Sequence, residues 1–323
     1  LYYEYTNQVE PFGLDECYLD VTGSTHLFGG GENIAKEIRK RMKEEIGISV
    51  SIGVSFCKIF AKLGSDMKKP DAITIINEEN FKDKVWPLEV CEMVGIGKAT
   101  KRKLNKIGVF SLGDLACVPV GTLKNLLGVN GVYLWQYANA LDIRQVVDRD
   151  HKQTIESIGN SCTCKRDLYT NEEVFNIMQE LSFSVSKRLR EAKLEAGGVE
   201  IFVRNNELQS FNFASHLQMP TQSSIIVVKK AIEVFKEKYN WSFPVRAVGI
   251  RAINLRNEGL GKQMDVFLNH EKFQKNEDVD TALYNIRKKY GEKSITFAAL
   301  KQDIGLPSDI TEIVTLPARQ YNM

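Results

Sequence analysis

The sequence reads Glu10-Pro-Phe-Gly-Leu-Asp-Glu-Cys-Tyr-Leu-Asp-Val-Thr22 close to its N-terminus. Two acids, Asp15 and Glu16, lie side by side there, at the entrance to an apolar run that is typical of a β-strand. In an extended chain alternate side chains share a face, so Glu16 and Asp20 point the same way and Asp15 can aim from the preceding turn. The stretch therefore predicts a strand that carries carboxylates at its end.

Neighbouring carboxylates suit metal-assisted phosphoryl transfer. Two hard cations about 3.5–4 Å apart can clamp the attacking and leaving oxygens of such a reaction, and several carboxylates must converge to hold them. The same Asp-Glu pair is also common in turns that bind nothing. The rest of the sequence has to decide between these two interpretations.

The chain has 323 residues, of which 43% are hydrophobic and 26% are charged. These values are typical of a soluble globular protein with about two or three domains. The formal net charge of +2 is too close to zero to indicate a nucleic-acid partner. Any DNA-binding surface must therefore come from local clusters of Lys and Arg.

The six cysteines are scattered, without a Cys-x-x-Cys pair or a spacing that suits zinc. This usage predicts reduced thiols and a cytoplasmic protein. The N-terminal residues lack the pattern of a signal peptide, and no run approaches ~18 apolar residues. The sequence therefore indicates neither secretion nor a membrane span.

Between residues 18 and 76 the pattern alternates strand, helix, strand, helix and strand, which predicts an α+β layer. The predicted elements are a strand Tyr18–Thr22, a helix Asn33–Glu45, a strand around Val50, Ile52 and Val54, a helix Lys58–Asp66 and a strand Ala72–Ile76. The first helix has an apolar residue every four positions, which predicts one buried stripe made of Ile34, Ile38, Met42 and Ile46.

Lysines cluster within Ser51-Ile-Gly-Val-Ser-Phe-Cys-Lys-Ile-Phe-Ala-Lys-Leu-Gly-Ser-Asp-Met-Lys-Lys-Pro70. Lys58 and Lys62 are one helical turn apart and share a face, and Lys69 lies just before the proline that must end the helix. Ammonium groups beside a metal-bound triphosphate would neutralise the charge that builds on the departing pyrophosphate. From the residues alone, a solvated lysine face is the alternative.

The stretch from Val90 to Leu115 has the pattern of a helix-hairpin-helix. Gly95 and Gly97 allow a turn with exposed N–H groups at a helix start, where the helix dipole favours a phosphate. Lys98 and Lys101 belong to a run of five cations between positions 98 and 106 that contains no acid. Contacts of this kind would be made to the DNA backbone and would be blind to base sequence. A purely structural helical hairpin is the alternative.

From residue 152 to 256 the predicted order is strand, helix, strand, strand, helix and strand, which is the βαββαβ order of the split-βαβ arrangement. This region contains 15 Lys plus Arg against 11 Asp plus Glu, a modest excess of the sign expected for a DNA-binding sheet. Farther on, Gln263-Met-Asp-Val-Phe-Leu268 is an isolated apolar cluster, and Asp278–Tyr290 predicts a short helix with a basic end.

The acidic stretch resembles a palm motif of the Y-family DNA polymerases, which has the form Ser-Ile-Asp-Glu-Ala-Tyr-Leu-Asp-Val-Thr. This chain reads Gly13-Leu-Asp-Glu-Cys-Tyr-Leu-Asp-Val-Thr22 at that place. Residues 51–70 are similar to the family's second palm signature, with Cys57 where the family often has Asn.

The resemblance implies roles for four of these residues. Asp15 and Glu16 would be the catalytic carboxylates and would ligate Mg²⁺ in a two-metal site. Lys69 matches a triphosphate-binding lysine of the family, and Lys62 is a second candidate for that role. Asp20 is a nearby carboxylate that could replace a missing metal ligand, but we expect it to play a structural part in the strand.

The resemblance also implies an α+β architecture in four parts. These are a partial palm with a ferredoxin-like sheet and helices (residues 1–80), a helical thumb with the helix-hairpin-helix (81–148), a βαββαβ little finger (149–256), and a clamp-binding segment with the C-terminal tail (257–323). The thumb and the little finger would bind DNA through Gly95, Gly97, Lys98, Lys101, Lys165, Arg166, Arg204, Arg246 and Arg251.

The apolar cluster after residue 262 resembles the Gln-Leu-Asp-Leu-Phe peptide with which bacterial polymerases bind the sliding clamp. Its aliphatic and aromatic side chains would fill a pocket on the clamp. The clamp-binding residues would then be Gln263, Met264, Asp265, Val266 and Phe267.

Family members carry three features before the Asp-Glu pair. These are a strand with another metal-binding Asp, an aromatic residue that excludes ribonucleotides, and a small fingers domain. In this chain 14 residues precede Asp15. The sequence therefore predicts a truncated polymerase that lacks one metal ligand and is inactive alone.

Two functions follow from the resemblance. The first is DNA-templated nucleotidyl transfer in translesion synthesis and DNA repair, by a monomer with primer-template DNA, deoxynucleoside triphosphates and a sliding clamp as partners. The second is a non-catalytic remnant that binds DNA and the clamp. A nucleotidyl cyclase on a similar palm would explain neither the hairpin nor the clamp peptide.

Overall fold

The computed structural model describes residues 1–148, 154–260, 269–291 and 294–295. Within these ranges the chain forms two compact units, which separate between residues 148 and 154. Each unit combines helices with strands, which confirms the predicted α+β class. None of the helices described is long and apolar enough to cross a membrane.

The first unit begins with two small sheets. Strands β1 (Val9–Pro11) and β2 (Cys17–Leu19) form an antiparallel hairpin, and β3 (Ile52–Ser55) pairs with β4 (Ile73–Ile76) in parallel. The helices of this part are α1 (Thr25–Phe28), α2 (Gly31–Arg41), which continues into a π-helical turn (Met42–Ile46), and α3 (Lys58–Met67).

Strand β2 is shorter than the predicted strand Tyr18–Thr22. It ends at Leu19 because the side chain of Asp20 accepts a hydrogen bond from the backbone N–H of Thr22 at 2.9 Å. This local bond replaces ladder pairing with a turn, as Asp side chains commonly do. The structural part expected for Asp20 thus lies at the end of the strand.

Three of the four residues in the predicted helix stripe are buried. Ile34, Ile38 and Met42 pack with Tyr5, but Ile46 is 54% exposed. The π-helical turn explains the difference, because its wider turn shifts the four-residue spacing off the buried face.

The second half of the first unit is helical. Its helices are α4 (Phe81–Val85), α5 (Lys98–Asn105), α6 (Leu112–Cys117), α7 (Val120–Leu127) and α8 (Val129–Ala138). Phe60 and Leu63 of α3 and Ile76 of β4 belong to the same buried core as Leu104 and Leu115 of these helices. The predicted boundary at residue 80 therefore runs through one continuous core.

The second unit is built around a four-stranded antiparallel sheet. Its strands are β5 (Ile158–Leu168), β6 (Leu194–Asn205), β7 (Ser210–Thr221) and β8 (Val245–Asn257), in the spatial order β5-β8-β6-β7. Helices α9 (Asn171–Glu191) and α10 (Ser224–Lys238) pack on the sheet through an apolar core that includes Ile177, Ile201 and Phe235. The element order is the βαββαβ order that the sequence predicts.

Helix α11 (His270–Tyr290) packs on the second unit. Asp280 is 3% exposed and accepts hydrogen bonds from the hydroxyl of Ser224 at 2.6 Å and from the backbone N–H of Ile225 at 3.1 Å. The predicted helix Asp278–Tyr290 was too short, because the side chain of Asn269 caps the true start. This helix lies in the second unit, and the boundary at residue 257 stays a prediction.

Candidate active site

The two predicted metal ligands lie in the loop of the β1–β2 hairpin. The loop is closed by a hydrogen bond from the backbone N–H of Phe12 to the carbonyl of Glu16 at 2.7 Å, and Gly13 takes φ +87°, which favours glycine. Asp15 is exposed, and the side chain of Glu16 is 36% exposed. Both carboxylates are therefore accessible to a ligand from solvent.

Glu16 contacts the helix that carries the predicted triphosphate-binding lysines. The Nζ of Lys62 on α3 lies 2.9 Å from Oε1 of Glu16 and 2.7 Å from Oδ2 of Asp66. The other carboxylate oxygen of Asp66 lies 2.7 Å from Nζ of Lys69. We call this alternating series of charges, Glu16, Lys62, Asp66 and Lys69, the charge chain.

The environment shifts the pKa of two members of the charge chain. Partial burial opposes the charged form of Lys62, but its hydrogen bonds to Asp66 and Glu16 outweigh this effect and raise the pKa of its ammonium. Burial likewise opposes the charged form of Asp66, but the hydrogen bonds from Lys62 and Lys69 lower the pKa of its carboxyl. Both groups are therefore charged at neutral pH.

Lys58 does not share the surroundings of Lys62. Its ammonium lies 2.6 Å from both carboxylate oxygens of Glu10 on β1, with side-chain exposures of 11% and 4%, and 5.0 Å from the ring centroid of Tyr18. Lys58 therefore joins α3 to the hairpin that carries the acids.

The segment after α8 contacts Glu10, Lys58 and the first turn of α3. Glu10 also accepts a hydrogen bond from the backbone N–H of Val147 at 3.0 Å, and Lys58 donates to the carbonyl of Gln145 at 3.2 Å. Buried Asp142 accepts from the backbone N–H of Ile59 at 3.1 Å and so caps α3. Residues 142–147 therefore hold both the hairpin and the start of α3.

The helix-hairpin-helix residues lie around the start of α5. Gly95 has φ +95°, and Gly97 is the residue that precedes the first turn of the helix. Lys98 is exposed, whereas the ammonium of Lys101 lies 2.8 Å from a carboxylate oxygen of Glu89. The turn thus presents backbone N–H groups and Lys98 at the start of α5. Lys101 instead forms an ion pair with Glu89.

Two of the predicted DNA-binding arginines lie on the face of the second sheet that carries none of the helices in the described residues, which we call the helix-free face. Val203 and Ile250 are buried under the helices, so their neighbours Arg204 and Arg251 point to the opposite face. Arg251 also lies 3.3 Å from a carboxylate oxygen of Glu200 on that face.

The other three basic candidates lie at one end of this sheet. Lys165 is exposed, Arg166 lies 2.6 Å from Glu173, and Arg246 lies 3.5 Å from Asp167. The predicted clamp-binding residues, 263–267, lie outside the described residues.

Three functional candidates were missed by sequence reasoning, namely Glu10, Asp66 and Asp142. Asp66 had a usable signal, because it stands four residues after Lys62 and three before Lys69, at the spacing of ion pairs on a helix. Glu10 and Asp142 had none, since their partners are 48 and 83 residues away in sequence.

Comparison with known protein families gives two matches. The impB/mucB/samB family matches residues 1–66, and the C-terminal domain of the same family matches residues 155–266.

Similar proteins include DNA polymerase IV of Acetivibrio thermocellus, which is 44% identical over 95% of this chain and 77% of its own length. DNA polymerase IV 1 of Bacillus subtilis is 36% identical over 90% of this chain and 70% of its own length. Among solved structures, a Y-family DNA polymerase chimera is similar in fold, with a TM-score of 0.67 at 21% identity over 79% of this chain and 73% of the chimera. The chain belongs to the impB/mucB/samB family, that is, to the Y-family DNA polymerases.

Proposed function

We propose that this chain is the core of a DNA-directed DNA polymerase that acts in translesion synthesis. The observation that carries the proposal is the 2.9 Å contact between Glu16 and Lys62, because it brings the carboxylate pair and the lysine helix into one site. Nucleotidyl transfer needs carboxylates for a cation and ammonium groups for a triphosphate side by side.

The donor set fits a hard divalent cation. Asp15 and Glu16 offer carboxylate oxygens, which Mg²⁺ prefers, and both are accessible in an exposed hairpin loop. When bound there, Mg²⁺ would polarise the phosphoryl oxygens and help to activate the primer hydroxyl. A complete two-metal site takes a further carboxylate in addition to Asp15 and Glu16.

The lysines of α3 supply the positive charge for the nucleotide. Lys69 has a side chain that is 57% exposed and can reach a triphosphate in solvent, and Lys62 lies between it and Glu16. Their ammonium groups would bind the deoxynucleoside triphosphate and stabilise the charge on the leaving pyrophosphate.

DNA would bind to the start of α5 and to the helix-free face of the second sheet. Arg204 and Arg251 lie on this face, and phosphate contacts of this kind position a duplex without reading its sequence. We extend the proposal to a cytoplasmic monomer that binds a sliding clamp through residues 263–267.

The alternative is a non-catalytic protein that binds DNA and the clamp. One observation favours it: among the residues that the structure describes, β1–β2 and β3–β4 form two separate sheets with no hydrogen-bonded strand between them. Among the described residues, the carboxylate hairpin is therefore joined to the lysine helix by side-chain ion pairs and by residues 142–147, and not by a shared sheet.

Primer extension separates the two functions. This chain and a version extended at the N-terminus by the palm strand and fingers of a family member would be incubated with primer-template DNA, Mg²⁺ and four deoxynucleotides. We expect extension by the longer protein and salt-sensitive DNA binding by both. If the longer protein is folded and binds DNA but adds no nucleotide, the catalytic proposal is wrong and the alternative holds.

A further inference from the structure

Lys62 has two carboxylate partners that differ in role. Glu16, at 2.9 Å, is a proposed metal ligand, whereas Asp66, at 2.7 Å, lies one turn farther along the same helix. The side chain of Lys62 is only 12% exposed, so its ammonium has little access to water and depends on these two acids. A buried ammonium that loses its partners is costly.

The contact with Glu16 conflicts with metal binding. Each carboxylate oxygen that accepts a hydrogen bond from an ammonium offers less electron density to a cation, and Lys62 adds a positive charge at the same place. Glu16 can offer both of its carboxylate oxygens to a divalent cation only when Lys62 moves away from Oε1. Asp66 offers the position to which it can move, because it already contacts the same Nζ.

We propose that Asp66 is a positioning residue, which keeps Lys62 in place when Glu16 turns to a metal ion and directs that ammonium, with Lys69, toward the triphosphate. This inference rests on the proposed metal site and deepens it. Before a cation arrives, Lys62 neutralises Glu16. Afterwards Asp66 alone holds Lys62, so no lone ammonium is left in a poorly hydrated place.

The proposal makes opposite predictions for two neutral variants. Lys62→Met removes the competitor, so Glu16 should bind a cation more tightly. Asp66→Asn removes the second partner, so Lys62 should hold Glu16 more strongly and weaken cation binding. The effect of Asp66→Asn must disappear in the Lys62→Met background, because Asp66 acts through Lys62. Simple loss of a distant charge would instead have the same effect in both backgrounds.

The test is a titration of the present chain with Mn²⁺. Electron paramagnetic resonance measures the concentration of free Mn²⁺ and so gives the binding affinity. We expect at least about threefold tighter binding for Lys62→Met, about threefold weaker binding for Asp66→Asn, and no further change when Asp66→Asn is added to Lys62→Met. Lys62→Arg keeps the ion pair and should stay near the parent value. Lys230→Met is the matched control, because Lys230 pairs with Glu233 at 3.4 Å on the second unit.

Each failure has a distinct meaning. If Asp66→Asn weakens Mn²⁺ binding equally with and without Lys62, or if Lys62→Met leaves the affinity unchanged, the positioning role is wrong while the metal site stands. If the parent chain binds no Mn²⁺, or if Glu16→Gln leaves binding intact, the proposed metal site itself is wrong and the inference falls with it. Circular dichroism confirms that each variant is folded.

Discussion

Lys58 places its ammonium 2.6 Å from each carboxylate oxygen of Glu10, and the two side chains are 11% and 4% exposed. This pair joins β1 to the first turn of α3, and Glu10 also receives the backbone N–H of Val147. The loop with the proposed metal ligands is thus fixed to the helix with the proposed triphosphate ligands. The pair therefore helps to fix the geometry of the proposed site.

Removal of one member of this pair should strongly destabilise the first unit. Lys58→Met or Glu10→Gln leaves a buried group without its partner, which costs roughly 3–5 kcal/mol. The double variant should lose less than the sum of the two single losses, because no unpaired charge remains. Urea unfolding of this chain measures these values.

Lys36→Met is the control for that experiment. Lys36 forms an exposed ion pair with Glu32, and its removal should change the free energy of unfolding by less than about 0.5 kcal/mol. Equal losses of unfolding free energy for Lys58→Met and Lys36→Met would show that the buried pair stabilises the protein no more than an exposed pair does.

Helix α3 should depend on Asp142 for its cap. Cys57 precedes the first turn but offers no side-chain cap, and Asp142 supplies the acceptor for Ile59 instead. Asp142→Ala should cost about 1–2 kcal/mol, and Cys57→Asn should recover part of this loss by capping from the usual position. Thermal unfolding of the four variants in this cycle tests the prediction. Strictly additive effects would contradict it.

Cys17 should react slowly although it adjoins an exposed loop. Burial raises the pKa of its thiol to about 11, so the reactive thiolate is scarce at neutral pH. Iodoacetamide at pH 8 should modify exposed Cys117 well before Cys17, and the rate at Cys17 should rise steeply as the pH approaches 11. Peptide mass spectrometry follows each site, and unfolding in urea should equalise them. Equal rates in the folded protein would contradict the burial of Cys17.

The helix-free face of the second sheet should provide salt-sensitive DNA affinity. Arg204→Gln combined with Arg251→Gln should weaken duplex binding for all sequences alike and reduce the slope of log K against log salt by about 2. Fluorescence anisotropy of this chain with labelled duplexes measures both quantities.

Lys236→Gln combined with Lys238→Gln is the matched control, because it removes two charges from the end of α10, on the helical side. An equal loss in the control would show that total charge, and not this face, determines binding.

Local pattern explains what sequence reasoning found. The apolar period of α2 and the alternation of Val50, Ile52 and Val54 at β3 predicted these two elements within a few residues. The Asp-Glu pair and the lysine spacing likewise indicated the two halves of the proposed site, because each half is local in sequence.

The contacts that join those two halves could not be predicted from the sequence. The contacts of Glu16 with Lys62 and of Glu10 with Lys58 cross 46 and 48 residues. Burial of a side chain such as Glu10 depends on tertiary packing, and an acid in a strand gives no local sign of it. The same holds for Ile46, which the π-helical turn moves to the surface.

The central claim is that Asp15 and Glu16 hold the catalytic metal ions. The most direct measurement is primer extension by the N-terminally extended protein that carries both Asp15→Ala and Glu16→Ala, with duplex affinity measured in parallel. We expect loss of nucleotide addition with DNA affinity retained, because these carboxylates would contact the metal ions and not the duplex. Primer extension at the parent rate by the double variant would contradict the assignment of the site.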